Sequence, residues 1–266
     1  MGLYEDINLA SKIVESKRKN KNKLVIKEQG NINKYISNLR RSGKILVYDP
    51  SFDISLSLIE EGIKDITVVS DNLLTKYYAY LKQAGIMSLS YQQFIEFFFY
   101  IDRIKKVPFD EKNYNKLKRN LYEIDSKSSS FWNVLYGKYG YNFIKEYQNT
   151  SKEYNYLRYK LFRKDEVRDV DNIPYLKDED SYELLRENLK LVSINYINAN
   201  ILKYNYDEKF NNIVVSSELK KRQLKRKLAK HLNDDGMLVF YGNYNLKDDC
   251  KEIEDKDSKI LIYKKG

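Results

Sequence analysis

Five residues, Asp49-Pro50-Ser51-Phe52-Asp53, stand between a short apolar run and a helical pattern. Two carboxylates and a hydroxyl at such a turn can hold the hydroxyl or amino groups of a ligand. A second polar trio, Ser70-Asp71-Asn72, follows the next apolar run. Asn198-Ala199-Asn200 and Ser216-Ser217 follow later ones. Ligands of open α/β sheets bind beyond the carboxyl ends of the strands. Asp49 to Asp53 therefore form one side of a potential pocket, and Ser70 to Asn72 the other. The turn lacks the G-x-G-x-x-G glycines that let a backbone approach a pyrophosphate. That argues against a dinucleotide or P-loop site. A nucleoside cofactor without phosphates asks less of the turn, and the turn also suits purely structural duties.

The elements that must position these residues are legible. Ile45 to Tyr48 is rich in strand formers and bounded by Gly43 and Asp49-Pro50, which suits a strand buried on both faces. Ile54, Leu58 and Ile59 recur at helical spacing, with Gly62 where a helix would stop. Ile66 to Val69 is a second buried-strand run, which completes a βαβ unit with its right-handed crossover. Ahead of it, residues 1–23 read as a polar helix ending in the basic run Lys17 to Lys23. Residues 24–41 read as another, with Ile32, Tyr35, Ile36 and Leu39 on one face.

Beyond the βαβ unit, Leu73 to Ala84 reads as a helix stopped by Gly85. Phe94, Phe97, Phe98 and Ile101 then recur at helical spacing. That stripe reads as core, although Phe99 and Tyr100 widen it enough to face a greasy substrate or a membrane. Residues 103–165 carry helical patterns at Asn113 to Ile124, Phe131 to Tyr139 and Phe143 to Phe162. Ordinary crossovers are far shorter, so substrate specificity is expected in this insert. Helix and strand then alternate again: a helix over Asp180 to Leu189, a strand over Leu191 to Ile197 and a strand over Phe210 to Val215. Ser217 is placed to cap a basic helix over Glu218 to Leu232. Asp234-Asp235-Gly236 turns into a strand over Met237 to Tyr241, and Lys259 to Tyr263 is a last strand. The expected fold is α/β, a Rossmann-like mostly parallel sheet with N-terminal helices over 1–41. The sheet domain spans 42–266 with a helical insert at about 86–178.

The chain has 266 residues, enough for one large domain or a core with a helical insert. Its net charge of +10 favours an anionic partner, either nucleic acid or an anionic membrane surface. One cysteine, Cys250, makes no internal disulfide, and no Cys/His cluster exists to hold zinc. The single histidine, His231, excludes a mechanism needing two and reads as a surface residue. Charges break every apolar run near the N-terminus, and no stretch reaches the ~20 apolar residues of a membrane span. The expectation is a cytoplasmic protein, able to touch a membrane face.

The order of elements resembles the Rossmann-like S-adenosylmethionine-dependent transferases. The closer resemblance is to the 3-amino-3-carboxypropyl transferases of the betaine-lipid-synthase type. It is carried by SFDISLSLIEEG, by VVSDNLLTKYYAYLKQAGIMSLSYQQFIEFF, by FWNVLYGKYG, and by SYELLRENLKLVSINYINANIL leading to FNNIVVSS. It runs loosely from Gly43 to Tyr241. Pro50, Ser51 and Phe52 replace the family's first glycines, Ser70 takes the strand-end acid with Asp71 one position late, and Asn200 stands for an aspartate. The resemblance implies S-adenosylmethionine as cofactor and transfer of the aminocarboxypropyl group to a hydroxyl or amine acceptor, a lipid such as diacylglycerol or a small molecule. It implies Asp49 and Asp53, with Pro50 and Ser51, near the sulfonium or its amino group. Asp71 with Ser70 and Asn72 falls at the ribose, Asn200 with Ile201 at the adenine, and Ser216 and Ser217 on the floor. Tyr136 and Tyr139 are the candidates for a catalytic base.

Two other readings stay open. The charge and the basic helix also suit a nucleic-acid methyltransferase, although neither Asp/Asn-Pro-Pro-Tyr nor a Cys nucleophile motif follows the strand at 210–215. A catalytically inactive Rossmann-like binding module is the third.

Overall fold

The computed structural model describes residues 24–99, 111–136, 170–219, 223–242, 250–256 and 258–266. Two compact units divide the chain: residues up to Lys27 together with Leu73–Arg168, and Glu28–Asn72 together with Asp169–Gly266.

The second unit carries a seven-stranded sheet. Its strands are β1 (Ile45–Tyr48), β2 (Asp65–Val69), β3 (Ser193–Ile197), β4 (Phe210–Val215), β5 (Leu232–Gly242), β6 (Cys250–Asp255) and β7 (Ser258–Lys264). The spatial order is β3-β2-β1-β4-β5-β7-β6. The first five run parallel, and β7 is antiparallel to both its neighbours. The order reverses between β1 and β4, where such sheets open a crevice at their carboxyl ends. This is the Rossmann-like, mostly parallel α/β sheet expected from the run of apolar segments.

Ile45, Leu46 and Val47 are completely buried, as a central strand requires. Helix α1 (Asp53–Glu60) joins β1 to β2 and buries Ile54, Leu58 and Ile59. It ends as the sequence indicates. Gly62 has φ +87°, its N–H reaches Ile59, and the Ile63 N–H reaches back to Leu58 at 3.0 Å. On one side of the sheet, Leu46, Ile213, Val215, Leu238, Phe240 and Leu261 share a core with Leu224 and Leu228.

The first unit is helical. Leu73 onwards lies between β2 and β3 in the sequence, as α2 (Leu73–Ser88), α3 (Tyr91–Phe98), α4 (Glu111–Ile124) and α5 (Ser126–Tyr136). Gly85, expected to stop α2, lies inside it. A Cβ there would come within 2.7 Å of Phe98, so its smallness serves close packing against α3. Helix α3 opens on a capping box, in which Ser90 takes the Gln93 N–H and Gln93 returns to the Ser90 N–H. Phe94, Phe97 and Phe98 are buried, as is Phe99, so these members of the stripe are core, while Ile101 lies outside the described residues. The pattern at Phe143 to Phe162, with Tyr139 and Tyr100, lies outside the described residues.

Other expectations need correction. Residues 24–41 are not a helix. Residues 24–31 hold no helical turn, and two 3-10 turns follow, Ile32–Lys34 and Ile36–Asn38. Ser217 caps no helix, because its hydroxyl is spent on Glu28. Helix α6 (Glu179–Leu189) precedes β3, and the helix expected from 218 shows as α7 (Leu224–Leu228) followed by a 3-10 turn to His231. His231 is 7% exposed and sits edge-on to Tyr206 at 4.9 Å. Burial lowers its proton affinity, and the neighbouring Lys230 adds to the effect. Strand β6 carries no strong apolar run and gave no strand signal. It exists because it pairs with β7 through a tight turn at Lys256, whose φ is +51°. Among the described residues no helix is long and apolar enough to cross a membrane.

Candidate functional site

Strand β1 ends at Tyr48 and delivers Asp49 into the turn before α1. Asp49, Ser51, Phe52 and Asp53 are each 0% exposed. A buried turn must satisfy its own polar atoms. One Asp49 carboxylate oxygen accepts the Ser55 N–H at 2.7 Å and the Ser55 hydroxyl at 2.9 Å. The other accepts the Ser51 hydroxyl at 3.1 Å. Asp53 accepts the Tyr175 hydroxyl at 2.7 Å and the Glu28 N–H at 2.9 Å. Phe52 takes the left-handed conformation, φ 68°, where the sequence lacks a glycine. For an L-residue that conformation costs about 1–2 kcal/mol. The ring compensates by packing on Tyr196 of β3, centroids 6.1 Å apart.

Glu28 is the residue that sequence reasoning missed. It is completely buried, and its carboxylate is held by the hydroxyls of Ser216 and Ser217 at the end of β4. The Ser217 and Gly30 N–H groups donate to it as well, at 3.2 and 2.8 Å. Asn172 secures the same segment by donating to the carbonyls of Glu28 and Gly30. The segment from Glu28 to Gly30 is thus tied to the turns that follow β1 and β4. These contacts span up to 189 residues of sequence, so no local pattern announced them.

Burial pushes Glu28 above the ordinary carboxylate range, against the pull of its serine donors. Asp49 is pushed up to about 7, by burial first and by the neighbouring Asp53 second. A group of buried carboxylates resists carrying full charge together.

Beside this closed turn lies an open crevice of about 490 Å³, lined by Tyr48, Asp71, Asn200, Ile201, Leu202, Lys203, Leu219, Gln223 and Lys227. It sits at the carboxyl ends of β1, β2, β3 and β4, and its volume is in the range of small-molecule sites. Asp71 and Asn200 are exposed, and the Asn200 amide donates to the Asp71 carboxylate at 3.3 Å. The Asn200 carbonyl oxygen accepts the Leu202 N–H at 3.1 Å, which sets the direction of the amide. Ser70 joins the two strand ends: its N–H donates to Ile197 and its carbonyl accepts from Ala199, both at 3.1 Å. The Ser70 hydroxyl accepts the Asn72 N–H. Tyr48 forms part of the wall, its phenol pushed up to about 12 by burial and by Asp71.

The structure therefore sorts the sequence candidates into two groups. Asp71, Asn200 and Ile201 meet at the crevice, with Ser70 and Asn72 beside Asp71. Asp49, Ser51, Asp53, Ser216 and Ser217 are bonded to one another or to Glu28, and Pro50 is buried with them. A nucleoside suits the first group: a carboxylate for sugar hydroxyls, an amide for a base edge, and the apolar Ile201 and Leu202 for a ring face. In the second group the donors and acceptors serve each other. Tyr136 belongs to the helical unit, buried among Phe97, Tyr114 and Trp132. Among the described residues no group of three or more His, Cys, Asp or Glu side chains is placed to hold a metal ion.

The sheet order, with β7 inserted antiparallel between β5 and β6, matches a methyltransferase-like Rossmann fold. The chain matches no protein-family model and no curated protein. Two solved structures of the rRNA methyltransferase AviRa from Streptomyces viridochromogenes are similar over 97% of this chain and 84% of theirs. Identities are 7% and 8%, and TM-scores are 0.37 and 0.39. At that level the likeness carries no argument about activity, and the fold assignment stands on strand order and direction.

Proposed function

We propose that this chain is an S-adenosylmethionine-dependent transferase whose crevice binds the adenosyl half of the cofactor. The observation that carries the reading is the meeting of Asp71 and Asn200 at one opening, at the strand ends where the sheet order reverses. Asp71 would take the ribose hydroxyls. Asn200 would pair with the adenine edge, accepting from its amino group and donating to a ring nitrogen. Ile201 and Leu202 would cover its face. The cofactor would supply a sulfonium leaving group, and the protein's contribution would be alignment of the acceptor. The finer proposal is that the aminocarboxypropyl group moves to a hydroxyl or amine. Incubation with S-adenosylmethionine and candidate acceptors, followed by mass spectrometry, tests it. Methylthioadenosine as product supports aminocarboxypropyl transfer; S-adenosylhomocysteine supports methyl transfer instead.

A second reading has its own observation. The first turn is fully buried and the Glu28 segment is bonded across it to Ser216 and Ser217. That favours a module that binds an adenosyl compound without turning it over. Binding of methylthioadenosine as tight as that of S-adenosylmethionine, with no product from either, marks this case.

A further inference from the structure

The crevice has basic side chains at its opening that no described residue pairs. Lys203 and Lys227 line the opening. Arg226 lies beside Lys227 on α7, and Lys230 follows within a turn; all four are exposed. Elsewhere many basic side chains are matched: Lys44 with Glu208, Arg40 with Asp235, Lys34 with Asp255, Lys259 with Glu252. These four make no ion pair with any described residue. Tyr204, next to Lys203, is 40% exposed and held edge-on by Tyr206 at 4.9 Å. An exposed aromatic ring that is held in place next to a lysine is a surface on which a nucleic-acid base stacks while its phosphates are neutralised.

We infer that this rim is a docking surface for single-stranded nucleic acid. Lys203, Arg226 and Lys227 take phosphates, and Tyr204 stacks a base. Asp71 inside the crevice repels phosphate, so the backbone stays on the rim and the crevice is left to the adenosyl ligand. A membrane surface fits less well. Two of the cations line a recess rather than a flat face, and Tyr204 is the single exposed large apolar group among these residues. This goes beyond the transferase reading and needs no adenosyl ligand.

The test is fluorescence anisotropy of the full chain with a labelled oligouridylate of about 12 nucleotides, at salt from about 50 to 200 mM and without cofactor. Each phosphate contact contributes ~0.7 to the slope of log affinity against log salt for a single strand. The triple variant Lys203→Gln, Arg226→Gln, Lys227→Gln is expected to lower that slope by about 2. Tyr204→Ala is expected to weaken binding by roughly tenfold. A control that removes equal charge elsewhere, Lys64→Gln, Lys116→Gln, Lys251→Gln, should leave the slope within about 0.5 of the parent. Three results would overturn the inference: no binding at the lowest salt, equal slope loss in control and rim variants, or rim-dependent binding of phosphatidylserine vesicles with none of the oligonucleotide.

Discussion

Asp49→Asn isolates the electrostatics of the closed turn. Asp49 has a folded pKa near 7 against an ordinary value of 3.8. The folded state therefore holds the proton more tightly than the unfolded chain. Stability from this group is complete below the unfolded value, falls as pH rises through the window from 3.8 to about 7, and stays reduced above it. The shift corresponds to on the order of 4 kcal/mol, of which about 2–3 kcal/mol is lost between pH 5 and 8. Asparagine can keep the geometry. Its oxygen accepts from the Ser55 N–H and hydroxyl, and its amide donates to the Ser51 hydroxyl oxygen. The variant has no charge to bury. Urea unfolding at several pH values should show it close to the parent at pH 5 and more stable by about 2–3 kcal/mol, relative to that difference, at pH 8. Parallel pH profiles would refute the claim that a buried carboxylate at position 49 resists ionisation.

Other outcomes follow from the same packing. Replacing Ser216 and Ser217 together by alanine removes both hydroxyl donors from the buried Glu28 carboxylate and should cost about 2–4 kcal/mol in urea unfolding. Gly85→Ala should gain up to about 1 kcal/mol of helix propensity but lose about 1–3 kcal/mol to the Phe98 ring 2.7 Å away, for a net fall in Tm. Phe52→Gly relieves the left-handed strain yet empties a fully buried ring site. The net loss should be about 2–4 kcal/mol, with tighter methylthioadenosine binding if the emptied space joins the crevice.

The sheet was readable because its central strands are continuous apolar runs bounded by turn residues, and the α1 stop was readable because Gly62 has one conformational use. The N-terminal stretch misled because Ile32, Tyr35, Ile36 and Leu39 keep helical spacing while packing as consecutive 3-10 turns. Strand β6 alternates polar residues and takes its conformation from β7, not from propensity. The candidate site divides the same way. Asp71 and Asn200 were found because they follow strands, and strand ends gather at one edge. The sealing of Asp49 and Asp53 was not legible, since its agents, Glu28 and Tyr175, lie 25 and 122 residues from Asp53 in sequence. His231 shows the same limit: flanking lysines suggest a surface, while Tyr206 covers the ring.

On the reading proposed above, the crevice between Tyr48, Asp71 and Asn200 accepts an adenosyl compound. Titration calorimetry of S-adenosylmethionine and methylthioadenosine against the parent chain, Asp71→Ala and Asn200→Ala tests it most directly. Both side chains are exposed, so neither change should disturb folding. One-to-one binding is expected for the parent, with binding weaker by at least about tenfold in Asp71→Ala and by roughly three- to tenfold in Asn200→Ala, as for loss of a hydrogen bond to a charged and to a neutral group. No heat from the parent, or affinity unchanged in both variants, would contradict it.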